Sequence, residues 1–282
     1  MPAPAASSVE RIRHTAGMAV TRIVQLTDLH LFADPDERLF GIPTRELLRD
    51  VVAHVERHAG RVDHLVVTGD HTHDELPETC EAVRTILRPW LDRLWQVPGN
   101  HDDRAVLRSV FADRIRGEGA ERVNFSFGAD GWLCLGLDTQ LPGQVRGLMD
   151  EAQLAWIREQ LDAHDPDRAV LFLHHPPVLL GSAWLDPIGL EGRELVQSLL
   201  REDPRIRLVC SGHVHHESTH EVGGARVVTT PSTGLQFDPA GTTTTFANDP
   251  PGYRVIELAG DGYTTRVVRL PEARYLPIRA QA

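Results

Sequence analysis

The chain has 282 residues, 41% of them hydrophobic and 24% charged, which is room for one large α/β domain or two small ones and excludes a coiled coil or a disordered chain. Its formal net charge of −11 disfavours tight non-specific binding to nucleic acid or anionic lipid, both of which need surface cations. It leaves an anionic small-molecule substrate open, because a bound metal inverts the local potential.

Three cysteines, Cys80, Cys134 and Cys210, form no CxxC pair and read as reduced thiols, with Cys134 and Cys210 inside apolar, strand-like runs. Residues 1–20 lack the continuous apolar core of a signal peptide and are expected to be a flexible tail, with Met18 as a second possible start. Residues 21–282 are expected to form a single domain. No stretch is apolar for the length that a membrane-spanning helix needs.

In chain order, Arg22 to Leu26 reads as a strand. A helix follows from the cap candidate Thr44 and ends before Gly60. His64 to Thr68 is a short apolar strand, then comes a helical stretch through Leu87. Arg93 to Val97 is the next strand, followed by a helix over about Asp103 to Phe111. Asn124 to Phe127 and Leu133 to Leu137 read as neighbouring strands. Leu154, Ile157 and Leu161 share one face of a helix over Glu151 to Leu161. Ala169 to Leu173 and Ile206 to Cys210 are buried strands, separated by a helix over Arg193 to Leu200. The last quarter is β-rich: Gly223-Gly224 joins Thr219–Val222 to Ala225–Thr229, and Gly260-Asp261-Gly262 joins Tyr253–Leu258 to Tyr263–Val268. Thr242 to Thr245 is read as a loop.

Five polar motifs stand just after apolar strands: Asp28-Leu-His30, Gly69-Asp70, Gly99-Asn-His-Asp102, His174-His-Pro-Pro177 and Gly212-His-Val-His215. Ligands of open α/β sheets bind at the carboxyl ends of strands, so these tips are expected to converge on one edge. Each motif alone has an ordinary reading. Asp28 and His30 suit a solvated loop, Gly-Asp is a common strand ending, Asn100 suits a left-handed turn beside Gly99, and the paired His174 and His175 suit a strand cap before a proline turn. All five together, in this order and with glycine wherever the chain turns tightly, do not. The 15 histidines point the same way. Carboxylate, amide oxygen and imidazole without thiolate suit Fe, Mn, Zn or Co rather than a structural zinc site. Seven ligands exceed one tetrahedral ion but suffice for two ions roughly 3.5–4 Å apart, the arrangement that clamps an in-line phosphoryl displacement.

The order D-x-H, G-D, G-N-H-D, H-H-P-P, G-H-x-H resembles that of the calcineurin-like metallophosphoesterase superfamily. Gln25 to Ala33, Leu39 to Ile42, Ser182 to Asp186, Thr230 to Thr233 and Gln236-Phe237 further resemble the bacterial 3′,5′-cyclic AMP phosphodiesterases of the CpdA type, class III cyclic nucleotide phosphodiesterases. The similarity covers about Thr21 to Pro277. It implies an αββα sandwich of two mixed sheets flanked by helices, with a β-rich C-terminal part. It implies one metal on Asp28, His30, Asp70 and His215 and a second on Asp70, Asn100, His174 and His213, with Asp70 bridging and Fe or Mn preferred over Zn or Co.

The implied reaction is hydrolysis of cyclic AMP to 5′-AMP by a hydroxide between the metals, with His101 as general acid. The product is expected near His30, Asp70, Asn100, His101 and His215. The same site would also serve a broad phosphodiesterase acting on glycerophosphodiesters or 2′,3′-cyclic nucleotides, with base recognition left to loops such as Ser182 to Pro187 and Thr233 to Pro239. The implied setting is cytoplasmic, as a monomer or homodimer, with no nucleic-acid or membrane partner. His175 is expected to be structural or to lie behind the ligands, and Asp102 to orient a neighbouring imidazole. His71 departs from the family's small apolar residue; His71 and His73 are expected to be exposed loop residues, or to support the ligands.

Overall fold

The computed structural model describes residues 20–117, 121–260 and 262–278. The expected tail through Ala19, the alternative start at Met18 and Asp261 of the last turn lie outside the described residues.

The first half of the chain forms β1 (Thr21–Leu26), α1 (Thr44–His58), β2 (His64–Thr68), α2 (Pro77–Ile86), β3 (Leu94–Val97), α3 (Arg104–Val110), β4 (Phe125–Ala129), β5 (Trp132–Leu137) and the short β6 (Gly147–Leu148). The second half adds α4 (Glu151–His164), β7 (Arg168–Leu173), the short β8 (Leu190–Glu191), α5 (Arg193–Glu202), β9 (Ile206–Ser211), β10 (Ser218–Val222), β11 (Ala225–Thr229), the short β12 (Gln236–Phe237) and β13 (Phe246–Ala247), β14 (Gly252–Ala259) and β15 (Gly262–Arg269). Two mixed sheets result, ordered β15-β14-β1-β2-β3 and β10-β11-β9-β7-β5-β4.

Strand alternation builds three apolar layers. In β2, Leu65 and Val67 face the layer under α1 and α2, while Val66 faces the opposite sheet. In β7, Ala169, Leu171 and Leu173 face the layer under α4 and α5, while Val170 and Phe172 meet the first sheet. Strands buried on both faces need unbroken apolar runs, which is why these read as strands without polar alternation. Each fully buried Leu, Ile or Phe contributes roughly 1.5–3 kcal/mol of transfer free energy. The described residues therefore form an αββα sandwich, and no described helix is long and apolar enough to cross a membrane.

The expected elements differ from the observed ones mainly at their ends. Thr44 is not the cap of α1 but its first residue; Pro43 precedes it, and the Thr44 hydroxyl donates to the His30 carbonyl at 2.8 Å. Asp103, read as the approximate start of α3, is its cap, the carboxylate accepting from the Val106 N–H at 2.9 Å. The C-terminal hairpins complete both sheets: β14 pairs antiparallel with β1, and β11 pairs parallel with β9. Gly223 and Gly224 both have positive φ, 61° and 88°, as a two-residue hairpin turn requires.

Candidate metal centre

β1, β2 and β3 run parallel in one sheet, and β7 and β9 run parallel in the other. Their carboxyl ends carry the five motifs. Three tips come from the first sheet and two from the second, so the polar edge lies across the mouth of the sandwich rather than along one sheet.

The structure brings all seven expected ligands together there. Asp28 is 0% and Asp70 2% exposed, and the described ion pairs give neither an arginine. Their neighbours are imidazoles. Asp70 Oδ2 lies 3.3 Å from His30 Nε2 and 3.4 Å from His174 Nε2, so one carboxylate oxygen joins two groups of side chains. On one side His215 Nε2 is 3.3 Å from Asp28 Oδ1 and 3.0 Å from His30 Nε2. On the other, Asn100 Oδ1 is 3.2 Å from His174 Nε2 and 3.0 Å from His213 Nδ1. Asp28, His30, Asp70 and His215 offer ligand atoms all within 4.8 Å of one another.

The tautomers follow from the outer nitrogens. His174 Nδ1 lies 2.7 Å from the Thr68 carbonyl, His213 Nε2 2.9 Å from that of Ile188, and His215 Nδ1 2.8 Å from that of Leu235. A carbonyl only accepts, so each outer nitrogen carries a proton, and in the neutral ring the inner nitrogen is the one that presents a lone pair. Three inward lone pairs, two buried carboxylates and an amide oxygen form a donor set that fits divalent cations, each imidazole held from behind as metal-ligating histidines generally are.

Electrostatics agree. Burial pulls His174 down, yet the charge of Asp70, its hydrogen bond and the charge of Asp28 raise it to about 9. Burial works against the Asp70 anion, but His174 and His30 hold its carboxyl well below the usual carboxylate range. The acidic pair thus draws positive charge into the centre. Burial, then the charge of His174, pushes His213 down to about 4. Burial also lowers His30 well below an ordinary imidazole, as it does His175.

Backbone conformation marks the same residues. Asp28, His30, Asp70, His213 and His215 have φ between 43° and 69°, a region that costs a non-glycine residue about 1–3 kcal/mol and persists only where the surroundings impose it. Glycine is required beside them. A Cβ on Gly99 would stand 2.1 Å from Asp70 Oδ1, and one on Gly212 1.9 Å from Thr27 Oγ1. The His213 N–H donates to both Asp28 oxygens at 3.1 Å, and the His101 N–H donates to Asp70 Oδ1 at 2.8 Å.

The remaining motif residues separate by role. The half-buried His101 ring stands 5.1 Å from His30 by ring centroids, at the rim of the centre. His175 has both nitrogens engaged, Nε2 with the Val145 carbonyl at 3.0 Å and Nδ1 with the Thr139 hydroxyl at 2.8 Å, so it keeps no lone pair for a ligand. Asp102 orients an imidazole as expected, and that imidazole is His71, whose Nδ1 is 2.9 Å away. The exposed reading of His71 is wrong: the residue is 0% exposed. Asp102 also accepts from the N–H groups of Gly99, His71 and Thr72 at 2.9, 3.2 and 3.0 Å, tying the β2 and β3 tips together. Asp74 accepts from the Ala33 N–H and the Thr79 hydroxyl, both at 2.7 Å, and so braces the loop after β1. Sequence reasoning did not single out Phe237 by itself. Its ring stacks on His215 at 4.0 Å and 7°, and Trp184 meets it edge-on at 5.0 Å.

The fold and this donor set define a class, the metal-dependent phosphoesterases. The calcineurin-like phosphoesterase model matches residues 21–217, and the chain belongs to that family; membership implies two metal ions and hydrolase chemistry. The chain is 34% identical over 270 residues to 3′,5′-cyclic adenosine monophosphate phosphodiesterase CpdA of Escherichia coli K12, covering 93% of this chain and 94% of that one. It is 30% identical over 215 residues to glycerophosphodiester phosphodiesterase GpdQ of Enterobacter lignolyticus, covering 75% and 77%. Among solved structures, a dimetal phosphatase from Danio rerio superposes with a TM-score of 0.59 at 19% identity, covering 87% of this chain and 98% of that one, a likeness of fold.

Proposed function

We propose that the protein hydrolyses 3′,5′-cyclic AMP to 5′-AMP, with residues 21–282 acting as one domain. The observation that carries this reading is the pair of donor groups meeting at one Asp70 oxygen, in a chain 34% identical to a cyclic AMP phosphodiesterase. Asp28, His30, Asp70 and His215 would hold one cation, and Asp70, Asn100, His174 and His213 the other, with iron or manganese the expected ions. When bound, two such ions polarise the phosphate oxygens and supply a hydroxide nucleophile at neutral pH.

The chain's own residues do the rest. Asp70 stays ionised between the two groups, and its contact with the His101 N–H keeps the β3 tip against it. The His101 imidazole, at the rim, donates a proton to the departing 3′ oxygen as general acid. His30, Asp70, Asn100, His101 and His215 surround the phosphate. The segments carrying Trp184 and Phe237 would read the base; the Trp184 indole N–H donates to the Asp238 carbonyl at 3.1 Å, which joins them.

A second reading rests on the 30% identity to a glycerophosphodiester phosphodiesterase: the same site acting broadly on diesters. The deciding experiment is metal analysis of the purified protein with kcat/KM for cyclic AMP, a glycerophosphodiester and a 2′,3′-cyclic nucleotide. The first reading expects about two ions per chain and cyclic AMP preferred. Equal efficiency on all three substrates supports the second, and full activity without metal overturns both.

A further inference from the structure

Four imidazoles aim a nitrogen at the acidic centre, and three of them rest the far nitrogen on a main-chain carbonyl. His30 differs. Its Nδ1 lies 3.2 Å from Nδ1 of His73. A carbonyl enforces one tautomer, whereas an imidazole accepts or donates according to its own proton. For His30 to present a lone pair at Nε2, its Nδ1 must carry the proton and donate to His73 Nδ1. The proton of His73 then sits on Nε2.

The His73 ring is held from several sides. It stacks on His101 at 4.5 Å and 19°, meets His30 edge-on at 5.3 Å and packs against Phe32 at 4.9 Å. Its main chain is fixed independently of the ring, the His73 N–H donating to the Leu31 carbonyl at 2.8 Å. A change of side chain therefore leaves the loop in place.

We infer that His73 is a positioning residue. It fixes the tautomer and orientation of His30 through one hydrogen bond and supports the His101 ring through its stacked face, so one side chain links a cation ligand to the candidate proton donor. The inference rests on the assignment of a cation to His30 made above. Partners behind a metal-ligating histidine typically change metal affinity by about 10–100-fold.

The test uses the full chain stripped of metal, titrated calorimetrically with Mn2+ and separately with Co2+, the latter also read by its visible absorption. Wild type is compared with His73→Phe, which keeps an aromatic face and removes the acceptor, and with His73→Gln, whose amide oxygen can accept from His30 Nδ1–H. Melting of the metal-free proteins checks folding. The expected result is two ions per chain for wild type, one of them bound roughly 10–100-fold more weakly in His73→Phe, and most of that affinity restored in His73→Gln. With metal saturating, His73→Gln should lose kcat rather than KM, because it no longer stacks on His101. His73→Phe binding both ions like wild type would overturn the inference, as would His73→Phe and His73→Gln being equally weak. Wild type binding no ion would overturn the cation assignment instead.

Discussion

The two sheets supply the centre in different ways. The first contributes Asp28, His30, Asp70 and Asn100 from tips braced to each other by the main chain: the N–H of Asp28 donates to the Gly69 carbonyl at 3.0 Å, and those of Leu29 and His30 to the Asp70 carbonyl at 2.8 and 2.9 Å. The second contributes His174, His213 and His215, each anchored by its own outer nitrogen on a carbonyl. A carboxylate is placed well enough by fixing the backbone, because the side chain is short and both oxygens accept. An imidazole has two inequivalent nitrogens, so it needs a separate contact to choose which one faces inward.

Asp70 is where the halves meet, and its substitution should have the largest effect. Asp70→Asn keeps the shape and removes the charge that faces both His30 and His174. Loss of several kcal/mol of metal-borne stabilisation predicts a fall in kcat on the order of 10^3-fold, measured by steady-state hydrolysis of cyclic AMP on protein whose circular dichroism matches wild type. A fall of only a few-fold would mean that the halves work without a shared carboxylate.

The next effect tests whether the first-sheet tips depend on close main-chain approach. Gly99→Ala puts a Cβ within 2.1 Å of Asp70 Oδ1 and 2.4 Å of Asp70 N, whereas Gly128 in β4 has nothing within 4 Å. Urea unfolding should show a loss of about 1–3 kcal/mol for Gly99→Ala and nearly none for Gly128→Ala. Equal losses would remove the contrast.

The smallest effect is a baseline away from the centre. Asp150 caps α4 and is lowered to about 2, first by its hydrogen bond to Arg122. A carboxyl depressed below its ordinary 3.8 stabilises the fold above that pH and loses the contribution as the pH falls toward 2. The pair is partly exposed, so Arg122→Met should cost below about 1 kcal/mol at pH 6, with the difference shrinking from pH 5 downward in urea titrations. A difference that grew on acidification would reverse the assigned sign.

Much of this was legible from residue types. The apolar runs of β1, β2 and β7 had to be strands buried on both faces, because helices cover both sheets. The five tips had to be polar because nothing else in an apolar sandwich explains them. Sheet membership was not legible. Nothing local in Tyr253–Leu258 says that it pairs with β1, and nothing in Ala225–Thr229 says that it pairs with β9, since long-range pairing is fixed by which faces remain to be covered. Of the two readings of His71, exposed or supporting the ligands, the sequence favoured the exposed one that the structure rules out, because an imidazole after Gly-Asp carries no local sign of Asp102, 31 residues away.

The sequence by itself determined the chemistry on offer: oxygen and imidazole donors, no thiolate, at the ends of apolar strands. The tertiary structure decided how they act. It alone brings His215 to His30 across 185 residues, holds five ligand candidates in left-handed backbone, and picks the inward nitrogen of each histidine by where a carbonyl, or for His30 another imidazole, happens to stand. Donor type is a property of a residue, whereas tautomer, strain and charge compensation belong to contacts between segments far apart in the chain.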